Sequence, residues 1–238
     1  MLDRTTYWVC IAATALDALL LGRVLQLKLQ RVYMFITLAC FLAFLLDLTT
    51  IWLWAETEAR LRVLLYTRFL YGFVFPMVGW DVFEEMRSQI SKLRKLAMGK
   101  LISGLIVGTI LGSLVAVFVA PTDGGGAGLL VTLAVVIWAG SATSTLAFLW
   151  TLNRALRGHK LERPNNTAVW AAFWQLELAA EVIFCFSVLL IPLLKNQTAD
   201  GVVGLLFPIY GMAITAWCVF RLRAVPSDVP STPASANL

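Results

Sequence analysis

Five ionisable side chains, Asp17, Asp47, Arg68, Glu177 and Glu181, stand well inside stretches that are otherwise apolar and long enough to cross a lipid bilayer. A charge near the bilayer centre costs about 2.5–3.5 kcal/mol on insertion scales, so such residues face a bundle interior or a polar cavity. This placement predicts an all-α membrane bundle whose chemistry lies at mid-depth. Composition agrees: 60% of the 238 residues are hydrophobic and 14% charged, whereas about a quarter of a soluble domain is charged.

A bilayer core of about 30 Å takes roughly 20 helical residues. Seven stretches qualify, at 7–27, 32–54, 62–83, 98–120, 127–152, 167–194 and 201–222. Together they make one transmembrane domain, 1–224, and leave no room for a soluble one. The first stretch lacks a basic leader and a small-residue cleavage site, so it reads as a retained span. The stretch 225–238, with Pro226, Pro230 and Pro233 among Ser, Thr and Ala, cannot build a core and is expected to be a disordered tail.

Basic residues alternate by connection. Arg23, Lys28 and Arg31 fall in the first; Arg87, Lys92, Arg94, Lys95 and Lys100 in the third; Arg154, Arg157, Lys160 and Arg163 in the fifth; Arg221 and Arg223 follow the last span. The second, fourth and sixth connections are balanced or nearly uncharged. The positive-inside rule then predicts an outside N-terminus and a cytoplasmic C-terminus. Trp8, Trp52, Trp54, Trp80, Trp150 and Trp170 fall near the predicted span ends, as an interfacial aromatic belt requires. Between spans three and four, Met86, Ile90, Leu93 and Ala97 recur at helical spacing, predicting an amphipathic continuation over 84–96.

The basic excess is divided among loops and forms no stripe, so no nucleic-acid partner is expected. The bilayer itself is the expected partner, with a protein partner at the cytoplasmic face or through span four as a further expectation. Cys10, Cys40, Cys185 and Cys218 sit in separate apolar segments without paired spacing, and the single histidine, His159, lies in a loop. No metal site and no cofactor is expected. The short loops suit a bacterial cytoplasmic membrane.

Counting about 1.5 Å per residue puts Asp17, Glu177 and Glu181 in one mid-membrane layer. Glu177 and Glu181, four positions apart, share a helix face that Trp170 and Trp174 extend. Two such carboxylates in a low dielectric cannot both ionise comfortably, so the pair is expected to keep a proton at neutral pH. With Asp17 and Trp174 they are the candidate ligand- or proton-binding residues. As structural alternative, the acids hydrogen-bond to Ser141, Ser144, Thr145 and Gln175 on the bundle interior.

Asp47 and Arg68 fall at matched depth, roughly 6 Å from the midplane, on consecutive spans, which predicts an ion pair between them. Arg23 and Asp81 approach the cytoplasmic boundary, where long side chains reach water. Gly104, Gly108 and Gly112 repeat every four residues and predict close helix packing through span four, within the bundle or between two copies. Pro76, Pro192 and Pro208 interrupt spans three, six and seven, where kinks outline a cavity or a hinge.

Seven spans with an outside N-terminus share a topology with rhodopsin-like receptors and bacterial seven-span sensor modules, and the likeness is topological only. A retinal Schiff base needs a lysine in the last span; residues 201–220 contain none. No catalytic motif is present, so no catalytic residue is assigned. The expected function is a non-enzymatic, sensor-like or accessory membrane protein with a polar cluster at mid-membrane. The alternatives are a small proton-coupled transporter or an intramembrane lipid-modifying enzyme using Glu177, Glu181 and Asp17.

Overall fold

The computed structural model describes residues 2–86, 94–119, 126–158, 165–194 and 197–224. Among them the chain is helical throughout: α1 (Leu2–Gln26), α2 (Met34–Trp52), α3 (Thr57–Met86), α4 (Arg94–Val119), α5 (Gly126–Gly158), α6 (Asn165–Leu194) and α7 (Gln197–Arg221). A short 3₁₀ turn, Leu29–Arg31, links α1 to α2. Lys28, in a left-handed conformation at φ 55°, opens that turn. The expected continuation over 84–96 falls mostly, and the tail entirely, outside the described residues.

Among the described residues four stretches are long and apolar enough to cross a membrane: Arg4–Gln26, Met34–Trp52, Leu133–Arg157 and Asn165–Phe184. Ile102–Leu114 and Leu205–Arg221 are shorter apolar stretches. α3 carries Glu58, Arg60, Arg62, Arg68, Asp81, Glu84 and Glu85 along its length. The outward faces remain apolar, with Trp8, Trp52, Phe41, Phe73, Ile106 and Phe220 all exposed. Water would not tolerate so much contiguous apolar surface; lipid does.

Each of α1, α2, α3, α5, α6 and α7 packs against the next, and α7 returns to α1, so six helices close a ring. α4 lies outside it, mainly on α5. Small residues make that contact. A Cβ added at Gly104, Gly108 or Gly112 would stand 2.7, 2.6 and 2.7 Å from the backbone Cα of Ser144, Gly140 and Val136. The glycine stripe is thus spent within the bundle, where it lets the α4 and α5 backbones touch.

The largest fully buried side chains, Trp170, Tyr33, Leu29, Ile36, Leu149 and Leu156 among them, gather where α1 and α3 end and α2 and α6 begin. Trp170 is wholly buried and packs on Tyr33 and Phe173, so it is a core residue and not part of an interfacial belt. The same end is tied by polar contacts. Asp81, buried on α3, accepts the backbone N–H groups of Phe35 and Ile36 at 2.7 and 2.9 Å. It therefore caps the α2 N-terminus from another helix, instead of reaching water, and satisfies donors that no residue of α2 covers.

Glu85 accepts hydrogen bonds from the hydroxyls of Tyr33 and Thr167, and so joins α2, α3 and α6. The two hydroxyls are also 3.1 Å apart. Asn166 closes a reciprocal pair with the Arg223 backbone, donating to its carbonyl at 2.7 Å and accepting from its N–H at 2.9 Å. Arg23 reaches the Leu222 carbonyl at 3.4 Å, adding α1 to α7. This is the packed end.

Candidate functional site

The opposite half of the ring is hollow. A cavity of about 400 Å³ opens between α1, α2, α3, α6 and α7. Its walls carry Asp17 from α1, Asp47 from α2, Arg68 from α3, and Glu177 and Glu181 from α6. All five mid-membrane ionisable residues therefore border one space, together with Trp174. Phe75, Phe173, Trp174 and Thr215 line its inner part; Cys10, Phe184 and Phe207 line the part nearer the start of α1.

Local sequence explains this convergence. The i, i+4 spacing of Glu177 and Glu181, with Trp174 and Glu177 three apart, places them on one face of α6. Gly211 of α7 faces α6 there, where an added Cβ would lie 4.0 Å from a Glu177 carboxylate oxygen. Pro208, inside α7, also lines the cavity. A proline inside a helix removes one helical hydrogen bond.

The ion pair of Arg68 runs to Glu181, across from α3 to α6. Its guanidinium also lies 4.8 Å from the Trp138 ring centre, a cation–π contact from α5. Adjacent spans and matched depth favoured Asp47 as partner. Asp47 instead lines the same cavity and feels Arg68 electrostatically, while ring closure brings α6 within reach of α3.

The remaining carboxylates, Asp17, Asp47 and Glu177, make no hydrogen bond among the described residues. Asp17 acts electrostatically on Glu177, and Asp47 on Asp17. Of the side chains expected to satisfy the acids, Gln175, Ser141 and Thr145 make no hydrogen bond to them among the described residues. Gln175 donates to the Leu149 carbonyl at 2.8 Å and accepts from Asn153 at 3.2 Å, tying α5 to α6. The Ser141 and Thr145 hydroxyls are buried in α5 without partners among the described residues. None of the described residues of α5 lines the cavity.

Two residues of the site carry no charge and were not singled out from sequence. Tyr71 and Thr215 border the cavity, are 7% and 6% exposed, and their hydroxyls make no hydrogen bond among the described residues. The i, i+3 spacing of Tyr71 from Arg68 was the available signal for the first; nothing in the sequence separates Thr215 from other span-seven polar residues. Among the described residues no three His, Cys, Asp or Glu side chains stand together as a metal site would require.

Fold and cavity define a class: a helical protein with membrane-length apolar helices, packed at one end and hollow with an acidic lining at the other. The chain matches no protein-family model, no curated protein and no solved structure.

Proposed function

We propose that the chain is a seven-span membrane protein, N-terminus outside and C-terminus cytoplasmic, that acts as a non-enzymatic sensor or accessory protein by taking a small ligand into its hollow half. The observation that carries this reading is the gathering of five ionisable side chains and Trp174 around one cavity of about 400 Å³, a volume typical of small-molecule sites. The loop charges set the orientation, and they point the hollow half outward.

The second support is connectivity. α3 carries Arg68 and Tyr71 at the cavity and Asp81 and Glu85 at the packed end; α6 carries Glu177 and Glu181 at one and Thr167 at the other. A ligand that moves either helix acts on the junction at the cytoplasmic side, where basic loops meet anionic lipid or a protein partner. A bacterial cytoplasmic membrane is the setting this reading implies.

Cys10 provides the test because it is half-buried and lines the cavity, while Cys40 and Cys218 are buried. A variant keeping Cys10 alone, with Cys40, Cys185 and Cys218 replaced by alanine, should react in intact cells with a membrane-impermeant thiosulfonate. Failure to react until the protein is denatured would defeat the reading. Reaction from both faces of the membrane would turn it into the second one, a proton-coupled carrier using Asp17, Glu177 and Glu181, whose mutual electrostatic reach favours it.

A further inference from the structure

We propose that the hollow half binds an organic ammonium ion, held by the carboxylates of Asp17 and Glu177 against the aromatic walls of Tyr71, Phe75 and Trp174. This rests on the cavity being a ligand site, as proposed above, and names the ligand's chemistry.

Charge is the first argument. Four carboxylates and one guanidinium line the space, and the guanidinium is engaged by Glu181. Asp17, Asp47 and Glu177 are left without a cationic side chain bonded to them among the described residues. Charged acids at mid-membrane are costly, so such groups either hold a proton or are joined by something positive, and an ammonium ion supplies both a charge and N–H donors.

The second argument is independent of the acids. Tyr71 and Thr215 are more than nine-tenths buried, border the cavity and have unpartnered hydroxyls. Because both residues border the cavity, their hydroxyls are open to a group placed inside it, unlike those of Ser141 and Thr145 within α5. Both oxygens can accept from an ammonium N–H.

Dispersal of the acids excludes a compact ion. A hard cation such as calcium needs six or more oxygens within about 2.6 Å, and the described residues include no such grouping. Separated charges on several helices suit an extended molecule whose apolar part also needs a place. The walls provide one: the Tyr71 and Phe75 rings stack at 5.3 Å, and Phe75 meets Trp174 edge-on at 6.2 Å. Aromatic faces beside carboxylates attract ammonium groups while burying their alkyl or aryl substituents.

The Cys10-only protein in phosphatidylglycerol nanodiscs is titrated with phenethylamine, choline and spermidine, with neutral 2-phenylethanol, and with potassium and calcium chloride. Protection of Cys10 from thiosulfonate and calorimetric binding are read. At least one amine should protect Cys10 saturably, and 2-phenylethanol should bind about tenfold or more weaker than phenethylamine where the latter is the ligand. Asp17→Asn and Glu177→Gln should each weaken amine binding about tenfold or more without changing the labelling rate of free Cys10. Protection by phosphatidylethanolamine in the disc, with no amine added, would support the same chemistry with a lipid headgroup as its source. Labelling of Cys10 with protection by none of the amines, or equal protection by the alcohol or the metal salts, overturns the ammonium class and leaves the cavity reading standing. An unreactive Cys10 removes both.

Discussion

Where α1 ends and α2 begins, polar side chains tie the helices together: Asp81 holds two backbone N–H groups, Glu85 two hydroxyls, and Asn166 both polar groups of the Arg223 backbone, while Trp170 Nε1 and Gln30 Oε1 are buried there without a partner among the described residues. Across the bundle, in the hollow half, three carboxylates and two hydroxyls have none among the described residues. The same helices, α3 and α6, run through both. Polar residues therefore do different work along one helix: at the packed end several bond to one another and fix the helix ends, and in the hollow half the acids border open space beside aromatic side chains. Arg68 with Glu181 is the exception that spans the cavity wall.

The contrast makes a graded set of expectations. The largest effect belongs to Arg68→Met, which strands Glu181 in a partly buried site and should cost about 3–5 kcal/mol of unfolding free energy in detergent micelles. Adding Glu181→Met should recover much of it, and a double variant no better than the single would remove the pair from the account of stability. Next is Glu85→Ala, which removes the shared acceptor of the Tyr33 and Thr167 hydroxyls and leaves them only each other; chemical denaturation should show a loss of about 2–3 kcal/mol. Exchange protection of the first α2 amides should fall with it.

Asp81→Ala removes the cap that α3 lends to α2 and should cost about 1–2 kcal/mol, seen as faster hydrogen exchange at Phe35 and Ile36. An Asp81→Asn variant keeps a carbonyl acceptor and should lose less; equal losses would mean that charge and not capping matters. Smallest is Glu177→Gln. Removing a carboxylate that has no partner and that Asp17 opposes should leave thermal stability within about 0.5 kcal/mol or raise it. A drop comparable to that of Glu85→Ala would erase the distinction between the two halves.

The helices were legible because apolar runs of bilayer length have one inexpensive backbone solution, with every N–H bonded within its own segment. The expected spans 7–27, 32–54 and 167–194 lie on α1, α2 and α6 with ends within a few residues. Residues of the site were legible for the same energetic reason: a charge inside such a run must face inward, and all five do. Their pairing was not. Asp47 is close to Arg68 in sequence and depth, yet the partner is Glu181, more than a hundred residues away, because only the ring closure of six helices puts α6 opposite α3.

Sequence by itself determined, through hydropathy and spacing, that the chain is helical, where its helices run and which few side chains had to turn inward. Tertiary structure decided the rest: that Gly104, Gly108 and Gly112 are used against α5, that Trp170 is core and Trp174 is cavity wall, that Asp81 caps a neighbouring helix, and that the acids face open space. Each of these depends on the rotation of a helix about its own axis and on which helix lies opposite. Both are set by packing among segments distant in the chain, and no local pattern encodes them.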